Sequence, residues 1–365
     1  MDRRTFLVAG TVFPLASAWP AAAGAQARTY APASTVWRTF EVTTLLEVAN
    51  PGGATQAWVP VPAVNTDWQQ SLASTWTGNM REAALDTDPT YGARLVRATW
   101  SDGEKAPRIE IVSRLRTRDR SVDWSRKARP PRDDAELALA LRSTDLLPVD
   151  GIVAETAAKV TAGKTGDVER VRALYDWVVA NTYREPTVRG CGVGDIKGML
   201  ETGNMGGKCA DLNALFVGLC RASGIPARDV YGIRVAKSAF GYRELGAGSA
   251  DISKAQHCRA EVWLGDYGWV AMDPADVAKV MRMETPQWLR DPRHEVAAPV
   301  YGALFGSWEG NWMGYNVAHD LRLPGSAGPK VAFLMYPQAE TRGERVDSLD
   351  PDTFRYRITV REIAA

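Results

Sequence analysis

The sequence has few cysteines and no excess of either charge. Its cysteines are too few for a disulfide scaffold, and none forms the Cys-x-x-Cys pair that structural zinc sites use. The four cysteines are Cys191, Cys209, Cys220 and Cys258. Lysine and arginine number 44 against 43 aspartate and glutamate residues, so the formal charge is +1. With no net field to attract nucleic acid or an anionic membrane, a nucleic-acid-binding protein is disfavoured.

Long apolar runs are also missing after the first twenty residues. No later stretch approaches the roughly 20 apolar residues that a membrane-spanning helix needs. The hydrophobic share of 45% and the charged share of 24% are those of a globular protein, and 365 residues suffice for two or three domains. We therefore expect a soluble mature protein without stable membrane insertion.

Residues 1–27 have the pattern of an export signal. The pair Arg3-Arg4 precedes an apolar run over residues 6–19, and Ala25-Gln26-Ala27 has the A-x-A form of a cleavage site. We interpret the segment as a twin-arginine signal peptide that is removed after residue 27, which predicts a periplasmic protein. The alternative is an uncleaved membrane anchor, which the shortness of the run disfavours.

Residues 28–130 predict an N-terminal β domain. Turn residues separate four strand-like segments: Val36–Val48, Thr55–Val61, Ala93–Trp100 and Arg108–Arg116. The charged, proline-containing residues 126–134 suit a linker to the next domain, although the basic cluster within them suits a solvated surface equally well.

Residues 131–283 predict a core of helices followed by strands. Apolar residues recur at helical spacing in Asp133–Arg142, Gly151–Thr161 and Asp167–Thr182. Strand patterns follow in Ala227–Val235, Gln256–Leu264 and Trp269–Asp273. Residues 284–365 predict a loop-rich C-terminal segment with short strands at Val331–Tyr336 and Phe354–Ile363. The fold class indicated is α+β.

Cys209 lies where cysteine chemistry is favoured. The glycine pair Gly206-Gly207 precedes it and an apolar helix follows, so Cys209 falls in the first helical turn. The positive end of the helix dipole and the unpaired N–H groups there favour thiolate over thiol. The same N–H groups can receive an oxyanion. A nucleophile of this kind needs a base, and a third group that holds the base.

A histidine and an aspartate on neighbouring strands are the candidate partners. The chain has three histidines: His257, His294 and His319. Strand alternation puts His257 on a polar face, and the following strand leads to Asp273. A hairpin loop of three or five residues pairs Leu264 with Gly268 and sets Asp273 opposite Arg259, on the same face as His257. A loop of two or four residues turns Asp273 away. We expect the odd-length loop.

Three ordered sequence blocks resemble the transglutaminase-like superfamily. The first block, residues 206–228, begins with Gly-Gly-Lys-Cys-Ala-Asp-Leu-Asn-Ala-Leu-Phe and ends with Leu-Cys-Arg-Ala-Ser-Gly-Ile-Pro-Ala-Arg. The second is His-Cys-Arg-Ala-Glu-Val-Trp from His257, and the third is Gly-Trp-Val-Ala-Met-Asp-Pro from Gly268. The resemblance covers about residues 150–280. It implies a papain-like core of helices and antiparallel sheet, with Cys209 as nucleophile, His257 as base and Asp273 orienting the imidazole. The family histidine is usually followed by a small residue and an aromatic one, and Cys258 and Arg259 depart from that pattern.

The resemblance implies acyl transfer at amide bonds of a peptide or peptide-like substrate. The Cys209 N–H and a second donor, for which Gln256 and Asn204 are candidates, would hold the oxyanion. We favour a protease or amidase over a cross-linking transglutaminase, because water is always present as the acyl acceptor. No cofactor is expected, and no metal, since no EF-hand-like ligand spacing occurs. The substrate's identity and the oligomeric state stay open.

Several residues have two interpretations. Trp308, Trp312 and His319 are candidates to line a substrate groove, although packing of the C-terminal segment onto the core is the simpler role for the tryptophans. Near the nucleophile, helix caps and turn bonds account for Asp211 and Asn213. If Cys209 stays free, a disulfide between Cys191 and Cys258 is the candidate pairing.

Two other functions compete with the enzyme. One is a non-catalytic periplasmic scaffold or binding protein that keeps the fold. The other is a redox or metal-handling protein that uses the adjacent residues His257 and Cys258.

Overall fold

The computed structural model describes residues 28–364, so the predicted signal peptide lies outside the described residues. The described chain folds into α-helices and mostly antiparallel strands, which confirms the α+β class. The helices are α1 (Asp134–Leu139), α2 (Gly151–Thr161), α3 (Asp167–Asn181), α4 (Ile196–Thr202), α5 (Cys209–Ala222), α6 (Pro274–Met283) and α7 (Ala298–Ala303). In the part of the chain that is described, no helix combines the length and apolarity needed to cross a membrane.

The strands fall into three larger sheets and three two-stranded ribbons. They are β1 (Arg38–Val48), β2 (Thr55–Pro60), β3 (Gln69–Gly78), β4 (Glu82–Thr87), β5 (Arg94–Trp100), β6 (Arg108–Thr117), β7 (Arg120–Ser121), β8 (Tyr183–Arg184), β9 (Gly206–Gly207), β10 (Ala227–Arg234), β11 (Gln256–Leu264), β12 (Gly268–Met272), β13 (Ser307–Trp308), β14 (Trp312–Asn316), β15 (His319–Leu321), β16 (Val331–Phe333), β17 (Gln338–Thr341), β18 (Glu344–Val346) and β19 (Phe354–Ile363).

The central sheet has the strand order β12-β11-β10-β14 and packs against α5. Every residue of α5 from Cys209 to Arg221 is buried. A helix that is buried on all sides needs cover on all sides, and α2, α3 and α6 contact α5 in addition to the sheet. The start of α5 is therefore fixed in position by the packing of the whole core.

The two ends of the described chain share sheets. In one sheet, ordered β19-β1-β6-β3, the last strand pairs with the first. In the other, ordered β18-β17-β2-β5-β4, β17 pairs with β2. Residues 284–364 thus complete the sheets of residues 28–130, and β14 from the same region adds an edge to the central sheet. The domain boundaries stay a prediction, but the C-terminal segment is built into both regions before it.

Candidate active site

Cys209 is the first residue of α5 and is 2% exposed. The short parallel ribbon β8-β9 leads directly into it, with Arg184 opposite Gly207. The Lys208 N–H donates to Asp211 Oδ2 at 2.9 Å, which fixes the turn before the helix. Asp211 Oδ1 also accepts the N–H groups of residues 193 and 194, so Asp211 is a cap, as the sequence predicted.

The side chains that neighbour the Cys209 thiol and influence its pKa are Cys191, Cys258 and His257. The two neighbouring thiols, together with His257, outweigh the effect of burial and hold the pKa of Cys209 well below its usual value. All four cysteines are free thiols, so the predicted disulfide between Cys191 and Cys258 is wrong. The Cys191 thiol donates to the Gln256 carbonyl at 3.5 Å, and the nearness of Cys191 and Cys258 favours the thiolate form of Cys209.

His257 and Asp273 meet through the predicted hairpin. Strands β11 and β12 pair Leu264 with Gly268 across a three-residue loop, which confirms the odd-length register. This register brings the His257 Nε2 within 2.7 Å of Asp273 Oδ2. Since Nε2 donates to that carboxylate, the other ring nitrogen, Nδ1, is the one available to the Cys209 sulfur.

The Asp273 carboxylate is braced from two elements. Asp273 is the N-cap of α6, and its Oδ1 accepts the Asp276 N–H at 3.0 Å. The Asn213 Nδ2, one turn along α5 from Cys209, donates to the same oxygen at 3.2 Å and to the Cys258 carbonyl at 2.8 Å. The interpretation of Asn213 as a capping residue holds for α6, because Asn213 Oδ1 accepts the Ala275 N–H at 3.2 Å, and the same amide also joins α5 to Asp273.

A second carboxylate, which the sequence analysis missed, also faces His257. Asp276 Oδ2 lies 3.3 Å from His257 Nε2, and Asp276 Oδ1 accepts from Arg234 Nη2 at 2.5 Å. Burial alone would lower the pKa of His257, but Asp276 and Asp273 outweigh it and raise this pKa to about 9. The available signal was the Asp-Pro-Ala-Asp run, which puts Asp276 in the first turn of a helix capped by Asp273.

Trp308 and Trp312 support the site through hydrogen bonds to the backbone of β11 and β12. Trp312 Nε1 donates to the His257 carbonyl at 2.8 Å, and Trp308 Nε1 donates to the Met272 carbonyl at 3.2 Å. The guanidinium of Arg259 lies over the Trp312 ring, 4.7 Å from its centre. Trp308 and Trp312 are 2% and 1% exposed, so the prediction that they line a groove is wrong. They pack the C-terminal segment onto the core, which was the simpler interpretation.

His319 lies away from this site. It is 2% exposed, stands against the ring of Tyr91 and has its Nε2 3.4 Å from Arg221 Nη1. Burial, reinforced by Arg221, lowers the pKa of His319 to about 3. The prediction that His319 lines the substrate groove is wrong, because this neutral imidazole is buried in the packing of β15.

The two candidates for the second oxyanion donor are placed differently. Gln256 lines a cavity beside Cys209, and its buried Nε2 has no hydrogen-bond partner among residues 28–364. The Cys209 N–H likewise meets no acceptor in this part of the chain. Asn204 is exposed and is not part of the cavity wall. Its Oδ1 accepts the Gly206 N–H at 3.4 Å, within its own turn. Gln256, and not Asn204, therefore lines the same cavity as Cys209.

The cavity has a volume of about 230 Å³. Its wall consists of Arg184, Cys209, Arg234, Gly246, Ala247, Gly248, Asp251, Lys254, Ala255, Gln256, His257 and Lys279. Beneath it, single ligand atoms of His257, Asp273 and Asp276 lie within 4.8 Å of one another. This set is a poor metal site, because the cations Arg234 and Arg259 already face the two carboxylates.

Comparisons with known proteins agree with this geometry. The sequence profile of the transglutaminase-like superfamily matches residues 154–274. An uncharacterized protein of Haemophilus influenzae is 35% identical over 336 residues, which cover 87% of this chain and 89% of that protein. The crystal structure of a proposed cysteine protease from Cytophaga hutchinsonii is 16% identical, with a TM-score of 0.50, and covers 89% of this chain and 98% of that one.

Fold and site together define an α+β protein with a cysteine at the start of a buried helix and a histidine on the adjoining sheet. The chain belongs to the transglutaminase-like superfamily.

Proposed function

We propose that this protein is an exported cysteine-nucleophile enzyme that hydrolyses amide bonds in peptide-like substrates. In this proposal Cys209 is the nucleophile, His257 the acid and base, and Asp273 the residue that orients the imidazole. We further propose that the twin-arginine signal delivers the enzyme to the periplasm, where the signal peptide is removed.

One observation carries the proposal. A thiol with a lowered pKa shares a buried site with an imidazole whose far nitrogen is bonded to a carboxylate at 2.7 Å. The raised pKa of His257 and the lowered pKa of Cys209 favour a thiolate-imidazolium pair near neutral pH. Such a pair combines a nucleophile with a proton donor for the leaving group.

The proposed reaction follows from these positions. The Cys209 thiolate attacks the carbonyl carbon, and the carbonyl oxygen takes up negative charge facing the Cys209 N–H and the Gln256 amide. Protonated His257 gives its proton to the departing amine, and the C–N bond breaks to leave a thioester. A water molecule then loses a proton to neutral His257 and attacks the thioester, which releases the acid and restores the pair.

Two features favour water over an amine as the acyl acceptor. The cavity is small, and its wall carries more basic than acidic side chains. A protonated amine would meet unfavourable charge there, whereas water is neutral and abundant. Cross-linking is therefore the second choice.

The test is mass spectrometry of the purified protein with a peptide library. We expect an acyl adduct on Cys209 and release of the matching amine-terminated fragment. Cys209→Ala should abolish both signals. Cys220→Ala is the matched control. Cys220 lies in the core, outside the cavity wall, and burial raises the pKa of its thiol.

Alkylation separates the enzyme from the scaffold alternative. An activated thiolate should react rapidly with iodoacetamide at pH 6, and His257→Ala should slow that reaction. Slow labelling of Cys209 that does not depend on His257, together with no adduct from the library, would favour a non-catalytic scaffold.

A further inference from the structure

The cavity beside Cys209 has a basic wall although the whole chain is almost neutral. Its cations are Arg184, Arg234, Lys254 and Lys279, and Asp251 is the one acidic residue in the described wall. A cavity lined by one sign of charge concentrates ligands of the opposite sign. Whether these cations can bind an anionic ligand depends on which of them are already paired with acidic residues of the protein.

Two of the four cations are neutralised by the protein. Arg234 Nη2 donates to Asp276 Oδ1 at 2.5 Å, with both side chains buried. Lys279 Nζ donates to the Glu244 carbonyl at 2.7 Å and lies 3.3 Å from the Glu244 carboxylate. These two residues belong to the supporting structure of the site.

The remaining two cations have no counter-ion. The Asp251 carboxylate is occupied, since it lies 3.3 Å from Arg357 and accepts the Ser253 O–H at 2.6 Å. In the described chain, neither Arg184 nor Lys254 forms an ion pair. The Nε of Arg184 is moreover buried without a hydrogen-bond partner among residues 28–364. A buried donor of this kind costs free energy unless a ligand accepts from it.

The two free cations lie on the chain segments that adjoin the proposed reacting groups. Arg184 is in β8, paired with the β9 residue Gly207 just before Cys209. Lys254 is in the turn that leads into β11, just before His257. The elements that position the nucleophile and the base therefore also position the two cations.

We propose that the acyl donor carries a carboxylate close to the scissile bond, and that Arg184 and Lys254 bind it. This inference rests on the proposed function and specifies its substrate class as an acidic peptide. The planar guanidinium of Arg184 suits bidentate binding of a carboxylate. At about 230 Å³ the cavity is smaller than the roughly 300–1,000 Å³ that encloses a whole drug-sized ligand. It therefore holds the group next to the scissile bond, while the rest of the peptide stays outside.

The first experiment compares two alkylating probes that differ in charge. Iodoacetate and iodoacetamide both form a bond between the Cys209 sulfur and the probe's methylene carbon, and both release iodide. The measurement is the ratio of the iodoacetate rate to the iodoacetamide rate. Because protonated His257 also attracts the anionic probe, the informative quantity is the change of this ratio on substitution.

Arg184→Gln should lower the iodoacetate-to-iodoacetamide ratio by roughly tenfold, the effect of one charge-assisted hydrogen bond. Lys254→Gln should also lower it and, because Lys254 is exposed, should leave the fold intact. The matched control is Lys197→Gln, which removes one positive charge from the exposed surface of α4.

An unchanged ratio in both variants would overturn the inference. So would an equal loss of both rates, since that result would mean that the cations act on the thiolate and not on a ligand. If instead Cys209 in the native protein reacts with neither probe, the proposed function fails. The two failures are thus distinguishable.

Peptide substrates then identify the source of the carboxylate. One pair of peptides differs by Glu against Gln beside the scissile bond, and the other pair by a free against an amidated C-terminus. We expect kcat/KM to favour the charged member of one pair roughly tenfold or more, and Arg184→Gln to remove that preference. No preference in either pair would contradict the inference.

Discussion

At the scale of single residues, His257 is held by two carboxylates. The His257 Nε2–H donates to Asp273 Oδ2 at 2.7 Å, and Asp276 Oδ2 lies 3.3 Å from the same nitrogen. Burial alone would raise the pKa of Asp276. The positive charge of Arg234, together with His257, outweighs burial and holds this pKa well below its usual value, so Asp276 stays ionised. Asp276 is thus a permanent negative charge that favours the imidazolium form of His257.

We expect Asp276→Asn to move the alkaline limb of kcat/KM to lower pH. His257 must be protonated to release the amine, so activity should fall as the pH rises through about 9, the raised pKa of His257. Loss of a carboxylate that raises this pKa brings the limb toward neutral pH. The measurement is kcat/KM against pH, in protein that retains native near-ultraviolet circular dichroism.

The control for Asp276→Asn is Glu201→Gln, which removes one negative charge from the exposed surface of α4. Its alkaline limb should coincide with that of the native protein. A limb that stays in place in Asp276→Asn as well would show that Asp273 alone sets the pKa of His257.

Gln256 and Asn204 give a second test at this scale. Gln256→Ala should lower kcat by roughly 10²–10³-fold, as the loss of one oxyanion donor does, with little effect on KM. Asn204→Ala should leave kcat unchanged, because the Asn204 side chain is exposed and bonds to its own turn. Single-turnover kinetics would measure the rate of the chemical step in both variants. An equal loss of rate in the two would contradict the assignment of Gln256 as the oxyanion donor.

At the scale of elements, α5 carries both the proposed nucleophile and a side chain that braces Asp273, the proposed third member of the triad. Cys209 begins the helix, and Asn213 on the next turn joins it to Asp273 at the start of α6. The Asn213 Oδ1 also accepts the Ala275 N–H at 3.2 Å. The distance between the two helix starts is therefore set by one buried amide.

Asn213→Ala should destabilise the fold by about 1–3 kcal/mol, because it leaves buried partners of this amide unsatisfied. Urea unfolding measures the loss. Asn181→Ala is the control, since the Asn181 amide bonds to a carbonyl at the exposed end of α3 and should change the stability far less. If the two variants unfold alike, Asn213 is not the brace that we describe.

Local pattern predicted the elements that carry the site. The sequence identified Gly151–Thr161 and Gln256–Leu264 with the bounds that α2 and β11 have. It missed β3 and β4, because most of their residues are at least partly exposed and the apolar alternation is weak. It also missed α6, whose N-cap, Asp273, was interpreted only as the end of a strand.

The site itself was predictable only in part. Cys209, His257 and Asp273 were candidates because each lies in a recognisable local block, and the register of β11 and β12 brings His257 and Asp273 together as the strand parity predicted. Asn213 and Asp276 were missed because their roles depend on contacts between α5, α6 and β11. Such contacts leave no periodic signal in the sequence.

At the scale of the whole molecule, the last strand links the N-terminal sheet to the cavity. Strand β19 pairs along its length with β1. On its other side, Ile358 accepts the Ile252 N–H at 2.8 Å, and the Val360 N–H donates to Ala250 at 2.9 Å. Residues 250–252 lie beside the cavity wall, which includes residues 248 and 251. No local pattern revealed this pairing, because it joins the two ends of the chain.

Ile358→Ala should cost about 2–5 kcal/mol of unfolding free energy, because Ile358 is 1% exposed and packs in the core. Arg361→Ala, on the exposed part of the same strand, should stay within about 0.5 kcal/mol of the native value. Thermal unfolding compares the two. Similar melting temperatures would mean that β19 contributes little to the fold.

The position of β19 has a consequence for the timing of activity during synthesis. A nascent chain on the ribosome contains Cys209, His257 and Asp273 long before residues 354–363 have been translated. Until that final segment emerges, β1 lacks its partner and the loop around residue 251 lacks the backbone that holds it. Under the proposed function, an incomplete polypeptide therefore carries the nucleophilic thiol without the finished surroundings that would direct it at a substrate.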